Sequence, residues 1–345
     1  MFSSLKKAGG KEPEMPDLST KYMGLKLKNP VIVSSSDLTK SVSNIKKCAE
    51  AGAGAVVLKS IFEEQFLVKG DIPEAGHTIH PEALDYLRSG GLLEYAPHQI
   101  CQTIEEAKNQ VEIPLIASIN CQTPQLWPSY ARQIQESGAD ALELNIYFLP
   151  LDLKAPGSDF EHSHIEILRK IKNEISIPVS IKLTNQITSI PYLAERLAVE
   201  GAEALVFFNW FLEPDIDISK RKTKNIKGTG SFFQSLKWVA LLADRVECDI
   251  ASSGGILDFE GVIKQILAGA AAVQVCSVFY QKGLDELGKI LKGLETWMTK
   301  ERMASIEDFK GELSFKRQEL SFRDLGESDK YFRAQYLKTY SKFAR

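Results

Sequence analysis

Long apolar runs are missing from this 345-residue chain. None approaches the roughly 20 residues that a membrane-spanning helix needs, so no membrane association is expected. Cysteine is scarce. Cys48, Cys101, Cys121, Cys248 and Cys276 lie far apart, form no CxxC pair and are odd in number. That pattern argues against a disulfide framework and against a thiolate metal or iron–sulfur site, and it favours a reducing, cytoplasmic setting. Neither charge sign is in excess: the formal net charge is −3. No basic surface interleaved with aromatics is present, so nucleic acid is not an expected partner. The opening MFSSLKKAGGKEPEMPDLST lacks the apolar core of a signal peptide. Residues 1–16 are expected to form a mobile N-terminal segment, with Met15 as an alternative start. No GxGxxG follows the first apolar strand, which removes the usual dinucleotide-binding fingerprint.

What is present is an alternation. Eight short apolar runs, at residues 30–33, 55–59, 113–120, 141–147, 177–183, 204–209, 249–253 and 272–275, are separated by amphipathic segments. Near-continuous hydrophobic strands suit a parallel sheet buried on both faces. Four helix-to-strand junctions repeat one phrase: AGAGA, SGADA, EGAEA and AGAAA. In each, glycine ends a helix and alanine opens a strand. The recurrence predicts a (β/α)8 TIM barrel over residues 17–304; a doubly wound open sheet is the alternative. Residues 60–96 and 210–230 read as long excursions over the barrel mouth, the second carrying the basic run from Lys220 to Lys224. Residues 305–345 form a charged C-terminal extension whose aromatics, Phe322, Tyr331, Phe332, Tyr336 and Tyr340, are suited to docking on the barrel or on a second subunit.

In such a barrel the chemistry lies at the C-terminal ends of the strands. Those ends hold Ser34 and Ser35, Lys59 and Ser60, Asn120 and Cys121, Asn145, Lys182, Asn209, the run Ser252-Ser253-Gly254-Gly255, and Cys276-Ser277. A lysine that ends a buried strand points a charge into the mouth, where an anionic partner must offset its desolvation. The bland alternative is that each lysine reaches solvent or pairs with Glu143 or another carboxylate. Asparagine offers donor and acceptor together, which suits the edge of a heterocycle. The two last strand ends, with Asp258 expected to cap the helix between them, suit an anion, most simply a phosphate. The same stretches also read as ordinary strand–turn–helix connections. The histidines at 77, 80, 98, 162 and 164 lack metal-ligand spacing, so no metal is expected.

Several phrases in fixed order, LSTKYMGLKLKNP, SIFEEQ, ALELNIY and FNWFLEPDIDI, resemble the FMN-containing dihydroorotate dehydrogenase family. The similarity is closest to its bacterial dihydroorotate dehydrogenase-like branch and runs from about Asp17 to the tail. The resemblance implies FMN at the barrel mouth, and a dihydropyrimidine-like substrate giving hydride to flavin N5 while a side-chain base removes the neighbouring proton. It implies flavin contacts from Ser35, Lys59, Asn120, Asn145 and Lys182, the last beside the N1–C2=O edge. Phosphate contacts fall on Ser253, Gly254, Gly255, Cys276 and Ser277, and substrate contacts on Asn145 and Asn209. It also makes a homodimer the expected assembly.

The chain departs from the family pattern at its substrate end. The position of the family's Ser or Cys base is Phe148, the second asparagine of that phrase is Pro150, and Trp210 replaces the usual Ser or Thr after Asn209. The N-R-x-G-x-x-N segment that would hold the orotate carboxylate is not recognisable between residues 70 and 95. Tyr147 and Cys121 are the candidates for a relocated base; the alternative for each is a core-facing aromatic and a buried thiol. The expected function is therefore an FMN-dependent oxidoreductase with Lys59, Lys182, Asn145 and Tyr147 as its catalytic set. The alternative is a flavin-binding barrel without dihydroorotate turnover, acting on another substrate or as a binding protein.

Overall fold

A computed structural model of the chain describes residues 15–62, 97–120, 127–148, 151–209, 213–226 and 232–317. Chain order begins with two strands that the sequence pattern does not announce: β1 (Thr20–Tyr22) and β2 (Leu25–Leu27) form an antiparallel hairpin. The barrel strands are β3 (Val31–Val33), β4 (Ala55–Val57), β6 (Leu115–Asn120), β7 (Ala141–Asn145), β8 (Val179–Leu183), β9 (Ala204–Phe207), β12 (Asp249–Ser253) and β13 (Ala272–Val275). All eight pair in parallel, and the ring closes because β4 bonds β6 while β13 bonds β3. Closure settles the choice between barrel and open sheet. The short β5 (Ile61–Phe62) prolongs the line of β4 and pairs with the upper end of β6.

The helices α1 (Val42–Glu50), α2 (Pro97–Lys108), α3 (Trp127–Glu136), α4 (Gly157–Lys172), α5 (Ile190–Val199), α6 (Phe232–Leu242), α7 (Phe259–Ala268), α8 (Ser277–Lys282) and α9 (Glu286–Glu301) accompany the strands. The repeated glycine stops a helix as expected. At the end of α7, Gly269 adopts φ +118°, and a Cβ there would lie 2.3 Å from that of Ala243. Only glycine accepts both the left-handed backbone and the close approach.

Period-2 alternation divides the core in two. Outward strand residues such as Val33, Leu142, Ile181 and Leu205 pack against the helices. Inward residues, including Ile32, Val57, Ile116, Ala141, Ala204, Val206, Ala251 and Ala272, form a second cluster that the hairpin plugs from below with Tyr22, Met23 and Leu27. The hairpin is anchored by the Met23 N–H donating to Asp249 Oδ2 at 2.7 Å.

The structure adds detail to two regions of the sequence expectation. Part of the 210–230 excursion is ordered as the hairpin β10 (Glu213–Asp217) and β11 (Lys222–Ile226). Its register sets Asp215 opposite Lys224 and Asp217 opposite Lys222, so the basic run faces an acidic strand. The chain after α9 crosses the helices: the amides of Gly311, Leu313 and Phe315 donate to the carbonyls of Ile266, Leu267 and Ala240 at 2.9, 2.8 and 2.8 Å. Phe309 is fully buried and meets Trp297 edge-on. The five tail aromatics lie outside the described residues, as do His77, His80 and most of the 60–96 excursion.

Candidate active site

The C-terminal strand ends surround a cleft of about 780 Å³, within the range of small-molecule and cofactor sites. Its lining includes Ser35, Lys59, Asn145, Lys182, Asn209, Ser253, Gly254, Gly255, Cys276 and Ser277. Apolar walls come from Phe62, Phe208, Phe232, Ile256 and Leu257. Asn120 is buried at the end of β6 and Tyr147 is half-buried after β7, and neither lines the cleft. Cys121, Pro150 and Trp210 lie outside the described residues. A groove of about 740 Å³ runs along α9, lined by Phe259, Trp297, Lys289, Lys292 and Lys300. It contains no strand end.

The cleft floor is a buried polar cluster built by three inward-facing strands. Lys182 Nζ donates to Gln274 Oε1 at 2.7 Å and Ser34 Oγ at 3.1 Å, and lies 3.4 Å from Glu143 Oε1. Gln274 Nε2 donates to Glu143 Oε2 at 2.5 Å. Below Glu143 stands the fully buried Tyr22, whose phenol is raised well above its ordinary range by burial and, next, by the Glu143 charge. The Lys182 alternatives thus resolve into one arrangement: the ammonium faces the cleft and is paired from behind by Glu143.

On one wall Lys59 forms an ion pair with Asp37. Ser60 accepts from or donates to Ser35 at 3.0 Å and Ser118 at 2.7 Å, tying β3, β4 and β6 together. On the opposite wall Asn209 Nδ2 donates to Asn145 Oδ1 at 2.6 Å. At the third side β12 is followed by Gly254 and Gly255, with φ of +98° and +70°. Asp258 caps α7 by accepting from Gly261 N at 2.8 Å, and β13 runs directly into α8. Sequence reasoning missed Asp37 and Gln274. The signal for Gln274 was present: a lone amide in the apolar strand AVQV has to face a polar interior.

Phe148 turns away from the cleft. Its ring lies edge-on to His164, centroids 5.2 Å apart, and 5.9 Å from Phe160, so it packs on α4. Burial pushes the His164 imidazole down to about 4, opposed by its bond to the Phe160 carbonyl. Nδ1 makes that bond at 2.6 Å, and Nε2 has no partner among the described residues. Burial also raises the thiols of Cys48 and Cys248, to about 11 and about 12; neither is a nucleophile near neutral pH. No group of three or more metal-ligating side chains occurs among the described residues, nor any helix long and apolar enough to cross a membrane.

A sequence model of the dihydroorotate dehydrogenase family matches residues 17–298. The chain belongs to the dihydroorotate dehydrogenase family. Among its relatives, the catalytic subunit of dihydroorotate dehydrogenase B (NAD(+)) from Methanosarcina mazei is 29% identical over 300 residues, covering 84% of this chain and 92% of the relative. The protein of the same name from Thermoplasma acidophilum is 29% identical over 310 residues, covering 86% and 99%. That from Methanocaldococcus jannaschii is 28% identical over 314 residues, covering 85% and 97%. Dihydroorotate dehydrogenases are FMN-dependent oxidoreductases of pyrimidine biosynthesis. The donor set at this barrel mouth fits that cofactor: two consecutive left-handed glycines and a helix start for a phosphate, a buried ammonium and paired amides for a ring, and aromatic walls.

Proposed function

We propose that the cleft binds FMN and oxidises a dihydropyrimidine-like small molecule. The observation that carries this reading is the buried Lys182 ammonium, held facing a cleft that also opens onto the Gly254-Gly255 turn and Ser277. Bound FMN supplies a two-electron acceptor for substrate hydride. In this reading the backbone at Gly254, Gly255, Cys276 and Ser277 holds the phosphate, with Ser253 beside it. Lys182 stabilises negative charge at the ring edge, and Ser35 and Lys59 position the ring from the other wall. Asn145 and Asn209, already bonded to one another, orient the substrate edge. Asn120 and Tyr147 support this set from behind the cleft, Tyr147 at the strand end where a relocated base is sought. Residues 17–304 form the working barrel, preceded by the lead at 1–16. Residues 305–345 extend it onto the barrel surface or a second subunit, a homodimer being the simplest assembly.

A second reading is favoured by Phe148. With a phenylalanine packed on α4 where the family places a base, the barrel binds flavin but acts on another substrate or as a binding protein. Colour and anaerobic titration separate the two. The purified protein is expected to be yellow, and dihydroorotate to bleach it if the first reading holds. Bleaching only by another reductant supports the second, and a colourless protein that takes up no added FMN defeats both. Lys182→Ala is expected to retain flavin and to be reduced at least 10-fold more slowly; wild-type reduction rates would refute its role.

A further inference from the structure

We propose that Glu143 and Gln274 are positioning residues that set the charge Lys182 presents to the cofactor; this rests on the FMN reading above. Glu143 and Gln274 are each 1% exposed, and Lys182 is 5% exposed. The inward layer beneath them is largely apolar, with the Ser180 hydroxyl and the Tyr22 phenol as its buried polar groups. An ammonium placed there is largely stripped of water and needs a counter-ion. Lys182 spans the barrel, reaching from β8 to Ser34 just after β3 and to Gln274 on β13. The Gln274 amide has only one workable orientation: its oxygen accepts from Lys182 and Ser34, and its nitrogen donates to Glu143. Flipped, it would set NH2 against an ammonium and oxygen against a carboxylate. Lys182, Gln274 and Ser34 line the cleft, whereas Glu143 does not. The carboxylate therefore acts from below. It offsets part of the ammonium's charge, while the amide holds it forward.

Two variants move the potential of bound FMN in opposite directions. Glu143→Gln removes the neutralising charge, so the positive field at the ring grows and the midpoint potential rises. Gln274→Leu removes the forward acceptor without changing charge, so Lys182 is drawn toward Glu143 and the potential falls. Unchanged potentials in both, or shifts of one sign, overturn the proposal; a residue that merely fills the barrel would alter melting alone. The second arm uses FMN-free protein in a denaturant cycle of Glu143→Gln, Lys182→Met and the pair. Each single variant leaves a buried polar group stranded, so the double variant is expected to be more stable than either. A double variant less stable than Glu143→Gln refutes the pairing. A wild-type protein that takes up no added FMN defeats the FMN reading and this proposal's cofactor arm with it, whereas the cycle tests the pairing of Glu143 with Lys182 by itself.

Discussion

Phe148 packs edge-on against the His164 imidazole and so covers part of α4. The glycines at the end of β12 are constrained differently. Gly255 has φ +70°, where a β-branched side chain costs about 1–2 kcal/mol or more. Gly255→Val is therefore expected to weaken FMN binding at least 10-fold, measured by quenching of flavin fluorescence. An affinity within twofold of wild type would remove this turn from the phosphate site. Most of the residues that line the cleft could be picked from sequence because strand ends are easily recognised. Their partners could not: nothing in the chain order says that Lys182 meets Gln274, 92 residues away.

Along the elements, α4 has a pH response of its own. In the unfolded chain His164 takes a proton near 6.5, but in the native helix only near 4. Between those values the unfolded state binds more protons, so stability falls as pH drops through that window and is fully present above it. The size is on the order of 3 kcal/mol. His164→Phe removes this contribution, so the stability difference between wild type and variant should shift toward the variant from pH 7 to pH 4 in urea titrations. A constant difference would show that the imidazole is not held neutral. The hairpin of β10 and β11 escaped the sequence reading because its strands are charged rather than apolar, and only register shows the pairing of Asp217 with Lys222.

Across the molecule, the segment after α9 is a strap rather than a loose end, at least as far as Arg317. It buries Ile306 and Phe309 completely and donates three amides to the helix layer. Phe309→Ala is expected to cost about 3–5 kcal/mol, read as a lowered urea midpoint in FMN-free protein. A loss below about 1 kcal/mol would mean that the strap contributes little. The hairpin of β1 and β2 closes the barrel end away from the cleft, and the chain before it joins the start of the strap, the Asp17 N–H donating to the Ala304 carbonyl at 2.8 Å.

Periodicity, the recurring Gly-Ala junctions and the residues at strand ends were enough to specify the barrel and the region of its site. Those features are local: each depends on neighbours within a few positions. Tertiary structure alone decided that Phe148 faces α4, that Asn145 and Asn209 pair, and that Glu143 and Gln274 brace Lys182. The polar contacts join strands that lie far apart in the chain, and they follow from the curvature and closure of the ring; Phe148 meets α4 across a single strand-to-helix connection whose path no short pattern of residues encodes.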